Sequence, residues 1–354
     1  MIICDLQLEK IYQISPEIVE LLEECKNISV EDLTKNEEYA NVSILFDQFI
    51  ELGIGFYTDD LNNWPDLSLE WKSSELINNS IIEIDNNKIE VILSFLNEIN
   101  GLGCKHLEIR SYSSLDFKKI DEILKKCIDS RLRSITLYIN YYSIKNFNKL
   151  DKLSIQNKRL LKIIVHSVPE NKINEIKKGD NVRINYFLTT QILKNNNHCG
   201  NVNINDFKVN INLFTESMVY NNCLNKKISL CDDGIVKNCP SMSEVLQKFK
   251  VNNKLNILKI TNTPHSKINK DLINVCKDCE FRYVCNDCRA YTDNNKIHNS
   301  RPSKCTYNPY IAKWDGEQGF KTLEQCGVVS NENGFSIDHD EIAKINEELW
   351  GEKV

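Results

Sequence analysis

Cys276-x2-Cys279-x5-Cys285-x2-Cys288, followed after sixteen further residues by Cys305, is the densest run of reactive side chains in this chain. Upstream stand Cys223 and Cys239, in the spacing Cys223-x10-Gly234-x4-Cys239, with Cys231 between them. Eight of the 14 cysteines therefore lie between Cys223 and Cys305. A Cys-x2-Cys pair lets two thiolates face one metal across a tight turn, and the turn's freed backbone N–H groups can point at the sulfurs. Soft thiolate ligands suit zinc or iron–sulfur clusters. One such pair is weak evidence. Two pairs with outlying cysteines are enough for two four-ligand sites. On spacing alone zinc and iron–sulfur stand level, and Cys231 counts among the candidate metal ligands with the other seven. The start, MIICDLQLEK, has no export signal, so a reducing, cytoplasmic compartment is expected and a disulfide framework is disfavoured.

These ligands need elements to hold them. The Asp-Gly pair of CDDGIVKNC predicts a hairpin turn at Gly234, which can bring Cys223 or Cys231 and Cys239 onto neighbouring strands. From residue 80 onward strand-like runs recur: SIIEID (80–85), KHLEIRS (105–111), RSITLYIN (133–140), LKIIVHS (161–167), VRINYFL (182–188) and FKVNINLF (207–214). Helix-like stretches such as KIEVILSFLNEIN, LDFKKIDEILKKCID and NKINEIKKG separate most of them, at the spacing of one βα unit. A closed eight-unit barrel needs about 250 residues, and about 135 are available here. Six such units can make part of a parallel barrel or an open parallel sheet, and the expected fold class is α/β, a partial (βα) barrel. Cys104 and Cys127 stand far apart in this repeat and read as core thiols. His106, Arg110, Tyr138, Tyr141 and His166 lie at or near strand ends, where a polar pocket can be built.

Residues 1–65 read as a small winged-helix-like module. It has two short strands in MIICDLQLEKIYQIS, a helix opened by Ser15 and Pro16, a second capped by Ser29, a third over 41–52, and a closing strand at GIGFYT. A polar linker broken by Pro65 follows. The expected divisions are 1–65, a partial barrel over 75–215, a cysteine-rich domain over 216–326, and a tail of 327–354. In that tail Ser336 or Asp338 caps a helix whose stripe is Ile342, Ile345 and Leu349. With 44 basic and 50 acidic residues, net −6, a generally basic nucleic-acid binder is excluded. No run of 18 apolar residues reads as a membrane span. No P-loop and no G-x-G-x-x-G is present.

The run of cysteines together with KNCPSM (237–242), VCKDCEFRYVCNDCRAY (275–291) and KCTYNPY (304–310) resembles the SPASM domain. More closely, it resembles the SPASM-domain peptide maturases of the grasp-with-spasm system. The family pattern has Cys-x3-Cys where this chain has Cys285-x2-Cys288. The resemblance implies two [4Fe–4S] clusters. Cys276, Cys279, Cys285 and Cys305 would hold one, and Cys223, Cys239 and Cys288 the other. The fourth position of the second is open or filled by Cys231 or Cys199. An open iron could bind a substrate thiol or carboxylate. Tyr307, Tyr310 and Trp314 would cover a cluster.

The same resemblance makes an absence informative. A radical SAM enzyme carries Cys-x3-Cys-x2-Cys after its first barrel strand. Here SIIEID runs through NNK directly into a helix, and Arg110-Ser111-Tyr112-Ser113-Ser114 stands in place of a Gly-Gly-Glu run. The implied protein is a radical-SAM-like barrel, degenerate at its own site, that binds no S-adenosylmethionine. It would take part in maturing a ribosomal precursor peptide beside an ATP-grasp ligase, with no nucleic acid or membrane partner. Its N-terminal module would pair with the precursor by strand addition. Whether it is itself an enzyme stays open. The alternatives are a peptide-modifying enzyme using an open cluster iron, and a zinc-stabilised scaffold.

Overall fold

The computed structural model describes residues 1–39, 41–64, 66–144, 147–170, 185–331 and 334–351. Strands β1 (Ile2–Asp5) and β2 (Lys10–Gln13) form an antiparallel ribbon, with Cys4 opposite Ile11. Helix α1 (Pro16–Glu24) starts on its proline, and Ser15 precedes it without a side-chain cap bond. Helix α2 (Val30–Leu33) has the expected cap: Ser29 Oγ accepts from the Asp32 N–H at 3.1 Å and donates to its carboxylate at 2.7 Å. Helix α3 (Val42–Glu51) ends before Gly53, whose φ of +75° suits a glycine. The closing strand expected at GIGFYT does not form. The chain instead folds back locally. Tyr57 donates to Asp47 of α3 at 2.9 Å, and Phe56 stacks on Trp64 at 4.5 Å.

The main sheet contains β3 (Asn79–Glu83), β4 (His106–Arg110), β5 (Ser134–Asn140), β6 (Leu160–His166), β7 (Asn185–Leu188), β8 (Lys227–Leu230), β9 (Ile235–Lys237) and β10 (Gln247–Lys248). Their order is β10-β9-β8-β3-β4-β5-β6-β7, parallel from β8 to β7 and antiparallel at β9 and β10. The sheet is open, so this is a parallel-rich α/β fold with no closed barrel among the described residues. Helices α4 (Ile89–Gly101), α5 (Phe117–Lys126) and α6 (Phe147–Gln156) make the first crossovers. The helix expected over 171–179, the opening residues of the 182–188 strand, Pro65 and the last residues of the tail lie outside the described residues.

In the main sheet one expected strand is absent and another segment takes its place. FKVNINLF does not enter the sheet: helix α7 (Ile211–Val219) starts there, with Asn210 accepting from the Leu213 N–H at 3.0 Å. Its alternating V-N-I-N-L pattern reads as period two, but the cap on Asn210 diverts the chain. The sixth parallel strand is β8, beside β3. Residues 215 and 216 lie within α7, and β8–β10 of the cysteine-rich region extend the open sheet.

Alternation sorts the sheet into two faces. Ile82, Leu107, Ile109, Ile135, Leu137, Ile139, Ile163, Val165, Ile228 and Leu230 share one core with Ile92, Phe95, Ile120, Ile123 and Leu150 of the helices. Cys104 and Cys127 are buried in that core, as read. The opposite register brings Glu83, Arg110 and Tyr138 side by side, with Ile81 and Ser229 paired next to them. This second face is polar, and the loop preceding α7 covers it.

After the short helix α8 (Ile257–Thr261), the C-terminal region carries the small pairs β11 (Tyr307–Asn308) with β12 (Lys313–Trp314) and β13 (Val328–Asn331) with β14 (Gly334–Ile337). Helix α9 (His339–Trp350) is capped by Asp338, and its Ile342, Ile345 and Leu349 pack on Val275, Ile311 and Cys326.

Candidate metal centre

Cys276, Cys279, Cys285 and Cys305 line one cavity, together with Phe281, Tyr307 and Trp314. Tight turns deliver the first three. Val275, immediately before Cys276, has φ 68° and ψ −48°, a strained conformation for a β-branched residue. The turn backbone points at sulfur as expected: the N–H of Phe281 faces Cys279, and that of Tyr307 faces Cys305. Tyr307 and Trp314 stack at 4.8 Å and close one wall. Tyr310 instead donates to Asp278 at 2.7 Å. Burial pushes the Cys276 and Cys279 thiols well up and Cys285 to about 12. Such thiols ionise only when a cation takes the thiolate.

A second group forms where the hairpin meets the sheet. The Cys223, Cys239 and Cys199 sulfurs all act on the Lys227 ammonium, and Cys223 and Cys199 act on Cys288. Lys227 Nζ stands 3.7 Å from Cys223 Sγ. Burial would lower the Lys227 pKa, but the three sulfurs reverse this and hold it above its usual range. Arg110, 3 % exposed, reaches Cys199 Sγ at 4.0 Å. A methyl built on Gly200 would stand 3.0 Å from Cys288 Sγ. The Ala290 and Tyr291 N–H groups point at Cys288.

Cys231 is not in this group. Strand β8 pairs Ser229 with Lys237 and Leu230 with Val236. Cys223 and Cys239 thus lie at the open end of the hairpin, while Cys231 sits at the Gly234 turn, four residues beyond Lys227 and about 13 Å along the strand. The groups acting on its thiol are Glu83, Lys237, Asp233 and Asp232, none of them a cysteine. All 14 cysteines are free of disulfides. Among the described residues no three His, Cys, Asp or Glu side chains converge as they would on a single ion. The sulfurs of each group share an environment without meeting at one point.

No family model matches the chain, and no curated protein matches it. Two solved structures are similar in part. The crystal structure of Streptococcus suis SuiB bound to S-adenosylmethionine aligns over 85% of this chain and 95% of its own, with TM-score 0.34 and 11% identity. A second SuiB crystal structure covers 86% and 96%, with TM-score 0.35 and 13% identity. At these scores the site must be read from this chain's own residues.

The end of the sheet at β3 and β4 is knitted shut. Lys119 donates to the carbonyls of Ile84, Asp85 (3.3 Å) and Asn87 (2.7 Å), all in the β3–α4 connection. Asp85 accepts from the Tyr112 and Ser113 N–H groups, each at 2.9 Å. Asn196 bridges three elements: it accepts from Arg110 at 2.5 Å and Tyr112 at 2.7 Å and donates to Glu83 at 2.5 Å. Of the polar candidates, Arg110 and Tyr138 do meet, 5.7 Å apart, with His198 stacked near Tyr138. His166 is buried and bonded to the Ser111 carbonyl at 2.8 Å. His106 sits at the far end of β4 and bonds Ser134 at 2.7 Å. Sequence reasoning missed Lys227, Asn196, His198 and Lys270. Only Lys227 left a signal, in the K-I-S-L alternation of the strand that leads into the Gly234 hairpin.

Proposed function

We propose that this chain holds two [4Fe–4S] clusters and serves in the maturation of a ribosomally made peptide, binding and presenting the precursor to an ATP-grasp ligase without radical SAM chemistry. One observation carries the cluster assignment: four cysteines line a single cavity that is also lined by Lys270, whose buried ammonium has no hydrogen-bond partner. A cation without an acceptor in a protein interior is costly. An anionic thiolate cluster supplies its partner.

Cys276, Cys279, Cys285 and Cys305 would hold one cluster, and Cys223, Cys239, Cys288 and Cys199 the other. With Cys199 in the fourth position no iron is left open to a substrate, which favours structural or electron-carrying clusters over Lewis-acid catalysis. A bound cluster supplies a one-electron store and a rigid tie between loops. Arg110, Lys227 and the N–H groups of Ala290 and Tyr291 would offset the charge of the second set.

The presentation role rests on two features. The β3–α4 connection is filled by Lys119 and Asp85, so protein groups occupy the strand ends. Each strand of the β1/β2 ribbon has one neighbour among the described residues, and a groove bounded by Glu9, Ile11 and Gln13 of the ribbon and by Phe207 and Phe281 runs beside it. Strand addition needs such an edge.

The first test is iron, sulfide and zinc analysis of anaerobically prepared protein. About eight irons per chain is the expected result for two cubanes, and zinc without sulfide refutes the assignment. The second is a pull-down of the full chain with its precursor and the ligase. Capture of neither sinks the presentation role.

A further inference from the structure

Lys270 is 1 % exposed, lines the cavity of Cys276, Cys279, Cys285 and Cys305, and its Nζ has no hydrogen-bond partner. The other charged groups of that wall have ion-pair partners, although the Nε atoms of Arg282 and Arg289 also lack a well-aligned hydrogen bond. Asp287 forms a two-pronged pair with Arg289, Oδ2 to Nε at 2.7 Å and Oδ1 to a terminal nitrogen at 2.8 Å, and also accepts from Asn221 at 2.7 Å. Arg282 pairs with Asp271 at 3.3 Å. Glu216 lies in the field of Lys270, but its carboxylate takes its hydrogen bond from Asn225 at 2.8 Å. The positive charge of Lys270 is thus the surplus of this wall, and it acts on the Cys285 thiol within the cavity that the four cysteines line.

We propose that Lys270 is the counter-charge of the cluster held by these four cysteines and sets its reduction potential. This rests on the cluster reading above. A [4Fe–4S] centre with four thiolates is an anion, and one-electron reduction adds a further negative charge. A fixed ammonium in a water-excluded wall stabilises the reduced form more than the oxidised form. Lys270 therefore raises the potential of its own cluster. The second set of cysteines has Lys227 and Arg110 instead and should not respond.

The experiment is a dithionite titration of the anaerobic full-length protein, followed by electron paramagnetic resonance, for wild type, Lys270→Met and Lys270→Arg, with iron and sulfide measured on each sample. The expected result is that Lys270→Met lowers one of two midpoints and leaves the other in place, while Lys270→Arg restores it. Loss of iron in Lys270→Met but not in Lys270→Arg also supports the assignment, because charge then governs retention. Two unmoved midpoints at full iron content overturn it, as does equal iron loss in both variants. If Lys270 only pairs with Glu216, Glu216→Gln and Lys270→Met will lower the melting temperature equally with no change in either midpoint, which also overturns it. A wild-type chain without iron or sulfide refutes the cluster reading itself, an outcome distinct from an unmoved potential.

Discussion

The Lys227 ammonium lies 3.7 Å from the Sγ of Cys223, at the end of the β8–β9 hairpin opposite to Cys231. This contact joins the polar face of the sheet to the cysteine region, and it separates two cysteines that sequence spacing left equivalent. Cys199→Ala should lower iron and sulfide by about half, the loss of one of two cubanes, while Cys231→Ala should leave both at the wild-type level. Metal analysis of the two variants decides. Iron lost from Cys231→Ala alone would reverse the assignment.

Gly200 has a φ of +87°, and an added Cβ would stand 2.9 Å from Tyr291 Cδ2 and 3.0 Å from Cys288 Sγ. Gly200→Ala should cost about 1–3 kcal/mol from backbone strain alone. It should also displace the Cys199 loop and reduce iron retention. Denaturant midpoints and iron content, read together, check both effects.

Lys119 gathers three carbonyls of the β3–α4 connection. Replacing it with methionine leaves those acceptors unanswered, at a cost of about 1.5–3 kcal/mol for charge-assisted bonds. Thermal unfolding of Lys119→Met should show the drop, and hydrogen exchange should place the loosening at residues 84–88 and 111–114. An unchanged melting temperature would deny the closure its structural weight.

Burial raises the Glu216 carboxyl to about 7, against the Asn225 hydrogen bond and the fields of Lys226 and Lys270. An unfolded glutamate titrates near about 4.3. Between these values the folded chain holds a proton that the unfolded chain lacks. The contribution is therefore complete below the unfolded pKa and is lost as pH rises through about 7. Glu216→Gln, a neutral isostere, should be more stable than wild type at pH 8, and the two should converge only as pH falls to about 4. Parallel stability profiles across that window would show that Glu216 does not titrate as stated.

Much was legible in the chain itself. The four strands from β3 to β6 lie where hydrophobic alternation put them, and Ser29, Asp338 and Gly234 do the local work their side chains predict, because caps and turns are settled by bonds between near neighbours. Cys104 and Cys127 are core thiols, and Cys276, Cys279, Cys285 and Cys305 share one cavity. The tertiary structure decided the rest. FKVNINLF and GIGFYT carry strand-like composition, yet one is diverted by the Asn210 cap and the other folds onto α3. The sixth parallel strand came from β8, more than 140 residues after its neighbour β3. The β8–β9 hairpin in turn puts Cys223 and Cys239 at the end away from Cys231, and Lys270 lines the cavity of four cysteines. Which distant cysteine or lysine joins a local group depends on contacts between segments far apart in the chain, and spacing within one turn carries no information about those distances.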